Sequence, residues 1–456
     1  MKTYELIIIG GGPGGYHAAS LAAKFGIETL VIEKYRLGGV CLNEGCIPSK
    51  TLLNSAKYYT HTLHGELYGV YTQDVVFKLE EVIKRKNRVV KNLVEGVKYK
   101  LKTAKVTVVE GHGQILKKEN NEFIIQVKDE LYRAKKLMIA TGSAVFMPPI
   151  TGLNEALKTQ KVLTSKEILD LTELPKTLTV IGGGVIGLEM ASFYSQLGSR
   201  VTVIEMLSSI GGYLDLELSK ELQKTLEQEG ITFKLNAKVT TINEHDVTYT
   251  LNNETHKIEH DYALLSVGRK ANTLDVGLQN IHVELHKNGS IITDHQLRTN
   301  IVNVYAIGDV NGKSMLAHVA YKEAEVAINT ILGIRDQINY EIIPSIIYTS
   351  PEVGMVGLTE QQAKEKGYKV KVIKLPVSYS GRHLAETNDK QGFVKLIFDN
   401  KKQTLIGAHM MSLYASEIIL FLSSMIDLEI NIDTLKRLIY PHPTVGELIK
   451  DALFHI

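Results

Sequence analysis

Cysteine is scarce in this chain: two in 456 residues, Cys41 and Cys46. Two thiols cannot staple a chain of this length, so a disulfide scaffold of the secreted kind is excluded. A tetrahedral zinc site would need further ligands, and no H-x3-H spacing lies near the pair, so no metal is expected. Net charge is nearly absent, +2 with histidine neutral. No bulk field favours nucleic acid or an anionic membrane, and neither is expected as a partner. Long apolar runs are missing too; none approaches the roughly 18 residues of a membrane span. The N-terminal "MKTYELIIIGGGPGG" leads from a short apolar run straight into glycines, without the longer core and small-residue cleavage site of an export signal. It reads as a first β-strand, and with no export or transit signal the expected location is cytoplasmic. What remains, 44% hydrophobic and 22% charged, is the composition of an ordinary globular protein with room for two to four domains.

The chain does contain a repeated unit. Residues 7–34 read "IIIGGGPGGYHAASLAAKFGIETLVIEK", and 179–206 read "TVIGGGVIGLEMASFYSQLGSRVTVIEM", with every landmark displaced by 172. Gly10, Gly12 and Gly15 recur as Gly182, Gly184 and Gly187; Gly26 recurs as Gly198, and Glu33 as Glu205. Each copy predicts a strand, a G-x-G-x-x-G turn, a helix and a second strand ending in an acid. The first glycine makes the tight turn, the second lets backbone approach a pyrophosphate, and the third packs helix on strand. The pyrophosphate sits at the helix N-terminus, where free N–H groups and the dipole favour an anion. The terminal acid accepts from a ribose hydroxyl. One such turn is weak as a signal, but two complete copies predict two dinucleotides. Glu205 would repel a 2′-phosphate, and Met206 to Ile210 include no arginine or lysine, so the second site is expected to prefer NAD(H).

The cysteines lie in "GGVCLNEGCIPSK", residues 38–50, a few positions after the first unit. They could be buried apolar residues, metal ligands or a redox pair. A bond between them needs Cα atoms within about 7 Å. Five positions along a regular helix give about 7.5 Å of rise and divergent side chains. Such a bond therefore requires Cys41 to Gly45 to be irregular, which Gly45 suits. Pro48 is tolerated only in a helix's first turn, so a helix is expected to start close to Cys46 and to stabilise its thiolate.

C-L-N-x-G-C-I-P-S-K resembles the redox-active motif of the flavoprotein disulfide reductases, and within them that of the dihydrolipoyl dehydrogenases. The resemblance covers nearly the whole chain. "ATGS" (140–143) and "VGR" (267–269) are similar to the family's crossings between FAD and NAD segments. "YAIGDV" (305–310) and "MLAHVA" (315–320) are similar to its second FAD-contacting segment. "IPSIIYTSPEVGMVGLTE" (343–360) resembles the opening of the interface domain, and "HPTVGE" (442–447) the active-site histidine motif. The resemblance implies an α/β fold: two Rossmann-like dinucleotide-binding domains plus a C-terminal α+β dimerisation domain. The implied FAD domain is 1–145, completed by a return segment at 273–340. The implied NAD domain is 146–272, and the implied interface domain is 341–456.

It further implies a redox disulfide between Cys41 and Cys46. The first dinucleotide becomes FAD, with Glu33 on the adenosine ribose, Lys50 beside the flavin and Asp309 on the ribityl chain. Backbone at Gly113 and Ala317 would line the cofactor, Glu189 would pair with Lys50 near the nicotinamide, and Thr141, Gly142, Val239 and Gly268 complete the cofactor contacts. His442 would be a base oriented by Glu447. From the residues alone, "HPTVGELIKDAL" also fits a capping box with Thr444 at the N-cap and Glu447 three residues on, which would leave Glu447 as a cap. The implied reaction is oxidation of a protein-bound dihydrolipoyl group with NAD+, the partner being a lipoylated carrier in a multienzyme complex and the enzyme a homodimer. The same machinery run backwards would reduce a small disulfide such as that of glutathione or coenzyme A with NAD(P)H. A non-catalytic redox sensor on this fold is disfavoured by the intact Cys41, Cys46 and His442 set. Departures from the pattern are Glu44, where many relatives are apolar, the nine residues after Glu447, few for the family, and a loose match at 377–389.

Overall fold

The computed structural model describes residues 1–387 and 390–455; two positions of the loosely matching stretch, 388 and 389, lie outside the described residues. The chain forms two compact units. One comprises Met1–Thr51, Ile83–Met147 and Gly268–Tyr340; the other comprises Leu52–Val82, Pro148–Val267 and Glu341–Ile456.

The first unit is built on a seven-stranded sheet. Its order is 107–110, 29–33, 2–9, 130–139, 122–127, 113–119, with 304–306 pairing alongside 130–139. The strands 2–9, 29–33, 107–110 and 304–306 run parallel to their neighbours, and 113–119 and 122–127 add an antiparallel flank. The run Leu6–Ile9 is at most 4% exposed, because a parallel strand covered on both faces needs continuous apolar sequence. On one face, Ile7 and Ile9 join Phe123, Ile125, Leu137 and Ile139 in one core.

In the second unit five parallel strands lie in the order 232–234, 200–204, 177–181, 262–265, 162–164. The repeat predicted from sequence is a repeat in register. Leu6 pairs with Thr29 in the first unit, and their counterparts Leu178 and Val201 pair in the second. The helices Pro13–Lys24 and Val185–Gln196 occupy corresponding positions, and both are followed by a left-handed glycine, Gly26 and Gly198, that turns the chain back to the sheet. A three-stranded antiparallel meander, 238–259, follows. The C-terminal part is a five-stranded antiparallel sheet, in the order 345–347, 352–357, 404–412, 393–399, 370–376. The helix Ala415–Asp427 packs on it at Gly354, where a Cβ would meet the Ala415 carbonyl at 3.1 Å. The architecture is thus the expected α/β one, with a C-terminal α+β part. Among the described residues, no helix is long and apolar enough to cross a membrane.

Phe123 is fully buried in the first unit's core. Phe123→Ala should cost about 3–5 kcal/mol, read as a lower denaturation midpoint; a change below about 1 kcal/mol would mean that the site collapses around the hole.

Candidate active site

A short helix, Gly39–Glu44, follows a left-handed Gly38 (φ 97°), and a second helix, Cys46–Leu63, begins one residue after it ends. Cys41 and Cys46 form a disulfide with their Cα atoms 4.6 Å apart. The sequence reading made the whole of Cys41–Gly45 irregular. The structure confines the irregularity to Gly45 (φ −149°, ψ −107°) and leaves Cys41 on a helix. One residue outside the helical region breaks the axis and cancels the rise that a continuous helix would put between the sulfurs. The Asn43 side-chain amide holds the first helix by donating to the Leu37 and Gly39 carbonyls at 3.0 and 2.9 Å. Pro48 falls in the first turn of the second helix, where its missing N–H costs nothing. Cys46 therefore opens an 18-residue helix whose free N–H groups favour a thiolate. Both cysteines are half-buried.

The disulfide segment is tied to the first glycine turn. Gly38 N–H donates to the Gly11 carbonyl at 2.8 Å, and the Gly39 backbone lies against Gly12. In that turn a Cβ on Gly15 would sit 1.9 Å from the Gly10 carbonyl oxygen; on Gly187 it would sit 2.1 Å from that of Gly182. Helix and strand touch there without side chains. Gly12 and Gly184 precede their helices in extended backbone and have open space, with nothing closer than 3.8 Å to a Cβ at Gly12 and nothing within 4 Å at Gly184. Both turns therefore fit a pyrophosphate set against the helix N–H groups. The terminal acids behave alike. Glu33 accepts from Gly11 N–H at 2.6 Å and Tyr35 N–H at 2.7 Å, and Glu205 accepts from Gly183 N–H at 2.6 Å and Leu207 N–H at 2.8 Å. Each carboxylate is oriented by its turn and keeps acceptor capacity for ribose hydroxyls.

The remaining expected contacts divide between the units. In the first unit, Thr141 and Gly142 are bound to Asn272: Thr141 Oγ1 donates to its carbonyl at 2.6 Å, and Gly142 O accepts its N–H at 2.9 Å. Gly268 O accepts from Phe146 N–H at 3.0 Å, Gly113 starts the strand 113–119, and Ala317 starts the helix Ala317–Ile331. Lys50 is half-buried with its ammonium 3.4 Å from Ser49 Oγ. Asp309 sits in a turn after the strand 304–306 and accepts from the Ser143 hydroxyl; burial raises its carboxyl above the ordinary range. In the second unit, Glu189 is buried and accepts from Tyr348 N–H at 3.1 Å, and Val239 lies on the meander opposite Tyr249.

Two residues that sequence reasoning missed organise the Asp309 turn. Arg269 donates to Ser143 Oγ and O, both at 2.7 Å. Burial pulls its guanidinium below the ordinary value, against the opposing fields of Asp309 and Glu44. The unusual Glu44 thus has a counter-charge. Glu323, fully buried, accepts from Asn311 at 2.9 Å and from Gly308 N–H and Tyr340 OH. Of the two acids in "AHVAYKEAEVAINTI", Glu323 stands at helical spacing from Val319, Ala320 and Ala327, and that place on the apolar face was the available signal for it.

His442 Nδ1 lies 2.9 Å from Glu447 Oε1, and Glu447 Oε2 accepts from Thr444 N–H at 2.8 Å. The capping alternative is corrected in one respect. The helix runs Glu447–Phe454, its N-cap is Gly446, and the Thr444 hydroxyl donates to the Pro441 carbonyl instead. The helix thus starts two residues later than a Thr444 cap would place it. The carboxylate divides its oxygens between the histidine and the backbone. The His442 side chain is 81% exposed.

A half-buried disulfide bound to one dinucleotide turn, with a second such turn in the same chain, defines an oxidoreductase that works on disulfides with dinucleotide cofactors. The chain belongs to the pyridine nucleotide-disulphide oxidoreductase family: that family matches residues 4–324, and its dimerisation domain matches 343–453. Among curated relatives, the mitochondrial dihydrolipoyl dehydrogenase of Schizosaccharomyces pombe is 37% identical over 461 residues, covering 99% of this chain and 89% of the relative. The dihydrolipoyl dehydrogenase of Chlamydia muridarum is 36% identical, covering 98% and 95%. Among solved structures, the Cu(II) complex of the HOCl-induced flavoprotein disulfide reductase RclA from Escherichia coli superposes with TM-score 0.88 at 28% identity over the full length of both chains. LpdA from Mycobacterium tuberculosis shares the fold, with TM-score 0.91 at 24% identity, 100% of this chain and 99% of that one being covered.

Glu447 is held below the ordinary carboxylate range chiefly by the Thr444 N–H, with burial opposing and His442 adding to the lowering. A depressed carboxyl contributes stability above its unfolded-state pKa and loses it as pH falls through the folded value. Glu447→Gln should therefore lower the melting temperature near neutral pH, by the equivalent of about 1 kcal/mol or less, and the gap to wild type should close below about pH 4. A gap that widens on acidification would contradict this.

Proposed function

We propose that this chain oxidises a dihydrolipoyl group carried on a partner protein, with FAD as resident flavin and NAD+ as final acceptor. The observation that carries the reading is the Cys41–Cys46 disulfide joined through Gly38 to the first glycine turn. The names of the relatives at 36–37% identity supply the substrate class. The lack of basic residues from Met206 to Ile210, beside Glu205, supports NAD(H) over its phosphorylated form. We assign FAD to Gly10, Gly12, Gly15, Glu33, Lys50, Gly113, Thr141, Gly142, Asp309 and Ala317. NAD is assigned to Gly182, Gly184, Gly187, Glu189, Glu205, Val239 and Gly268. The corresponding domains are 1–145 with 273–340, 146–272, and a homodimer interface at 341–456, in a cytoplasmic enzyme.

The dithiol gives a proton to His442 Nε2, while Glu447 at Nδ1 orients the ring and stabilises its charged form. The substrate thiolate attacks the Cys41 sulfur. A mixed disulfide forms, the Cys41–Cys46 bond breaks, and Cys46 leaves as a thiolate favoured by its helix N-terminus. The second substrate sulfur passes its proton to the departing Cys41 sulfur, attacks the first, closes the lipoyl ring and releases Cys41 as a thiol. The substrate has lost two electrons and the cysteine pair has gained them. Bound FAD and NAD+ supply the two-electron acceptors that return the pair to the disulfide.

Purified protein should carry FAD and reduce NAD+ with dihydrolipoamide; faster turnover of glutathione disulfide with NADPH would overturn the reading. Cys41→Ser and Cys46→Ser should each lower lipoamide turnover at least about a hundredfold. Only Cys41→Ser should show long-wavelength absorbance without reductant, from a Cys46 thiolate beside oxidised flavin. The opposite pattern would exchange the two roles.

We further propose that the exposed His442 serves the partner subunit's disulfide. A heterodimer of Cys41→Ser and His442→Ala chains then has one intact site and should recover about half the wild-type activity, by counting sites. An inactive heterodimer with FAD bound would place the base on its own chain.

A further inference from the structure

The strand Phe393–Asp399 is buried along its whole length, and Lys395 in it is charged. Its side chain is 3% exposed, and its ammonium lies 3.0 Å from Asp215, 2.8 Å from Glu217 and 3.0 Å from Glu360. Burial alone would lower its pKa, but the hydrogen bonds to Glu217, Glu360 and Asp215 reverse that and hold it above the ordinary value. Lys374, on the neighbouring strand, adds a second contact to Glu217 at 3.2 Å. A leucine would fill this position in the sheet at lower desolvation cost, since buried ion clusters add little net stability over apolar packing. The lysine therefore calls for an explanation in terms of position.

Two of its three carboxylates belong to the start of the helix Leu216–Gln228. Asp215 is the N-cap, accepting Glu217 N–H at 3.1 Å, and Glu217 lies in the first turn. From that helix a line of hydrogen bonds runs back to the second dinucleotide turn. Ser219 Oγ donates to the Ile210 carbonyl at 2.8 Å, Gly211 N–H donates to the Gly183 carbonyl at 2.8 Å, and Gly183 N–H donates to Glu205 at 2.6 Å. The segment bridged in this way, Met206–Leu214, has no regular secondary structure and contains two left-handed glycines, Gly211 and Gly212. Such a segment has little stiffness of its own and takes its position from what its ends are fixed to.

We propose that Lys395 is a positioning residue for the nicotinamide coenzyme. By anchoring Asp215 and Glu217 to the C-terminal sheet it fixes the 206–214 segment against the Gly183 turn, and so sets the affinity of the Glu205 site for NAD(H). The inference rests on the assignment of that site to NAD(H) and not on the identity of the disulfide substrate. The C-terminal sheet is thereby coupled to coenzyme binding within one unit of the chain.

The test is a direct titration of the FAD-loaded, full-length protein with NADH, which needs no lipoyl substrate, followed by steady-state kinetics. Lys395→Met should weaken NADH binding and raise KM for NAD+ by about three- to thirtyfold. KM for dihydrolipoamide and flavin content should stay within about twofold of wild type, and Lys395→Arg should recover most of the loss. Ser219→Ala cuts the same line of hydrogen bonds without touching the ion cluster. It should weaken NADH binding in the same direction, and it decides the matter if Lys395→Met does not fold. A lower melting temperature with unchanged NADH affinity in Lys395→Met, or unchanged affinity in Ser219→Ala, would reduce the cluster to a structural role and overturn the inference. Wild-type protein that binds no NADH would overturn the coenzyme assignment and this inference with it.

Discussion

The contact between a helix start and a strand end with no side chain between them is the constraint on which the rest of the site depends. Gly15 on Gly10 and Gly187 on Gly182 leave no room for a methyl group. Because the chain passes so close, each helix begins directly at the strand's C-terminal end, and its free N–H groups face open space at Gly12 and Gly184. The acid ending the next strand then reaches the turn's own backbone, Glu33 to Gly11 and Glu205 to Gly183. What hangs from each turn differs. The Gly11 carbonyl receives Gly38 and with it the cysteine helices, whereas the Gly183 carbonyl receives Gly211 and the loop leading to Asp215. One local geometry is thus used twice, once to hold a disulfide and once to hold a loop.

The redox pair shows how little backbone change chemistry requires. Two helices separated by a single non-helical residue bring Cα atoms five apart in sequence to 4.6 Å. The same break places Cys46 at a helix N-terminus and leaves Cys41 on the helix before it, so the two sulfurs have different electrostatic surroundings from the start. At the other end of the chain, Glu447 resolves a competition that a single carboxylate could have lost. One oxygen satisfies a backbone donor before the helix, and the other meets the histidine ring.

Burial of charge follows the same economy. Asp309, Arg269, Glu323 and Lys395 all lie where an isolated charge would be prohibitively costly, and each is surrounded by specific partners. Glu323 holds the short turn 308–311 through Gly308 and Asn311, Asp309 and Arg269 meet at Ser143, and Lys395 binds the two acids that open the helix Leu216–Gln228. Apolar residues could fill those spaces, but they would not select one position of a loop as hydrogen-bond direction does.

The sequence by itself determined the repeated strand–turn–helix–strand unit, down to a register shared by its two copies. That unit is encoded within about thirty consecutive residues by spacing, glycine and a terminal acid. It also determined that Cys41 and Cys46 lie near the first dinucleotide site, because only a few residues separate them from the end of the first unit. Only the tertiary structure decided that Cys41 stands on a helix, that the last helix is capped at Gly446, and that Arg269, Glu323 and Lys395 matter. The helix boundaries turn on one or two residues whose local preferences are nearly balanced, so packing sets them. The buried charges are defined by partners far away in the chain, Lys395 by Asp215 and Glu217, Arg269 by Ser143. Local spacing carries no record of which distant side chain will close a hydrogen bond, and that information first exists when the sheets assemble.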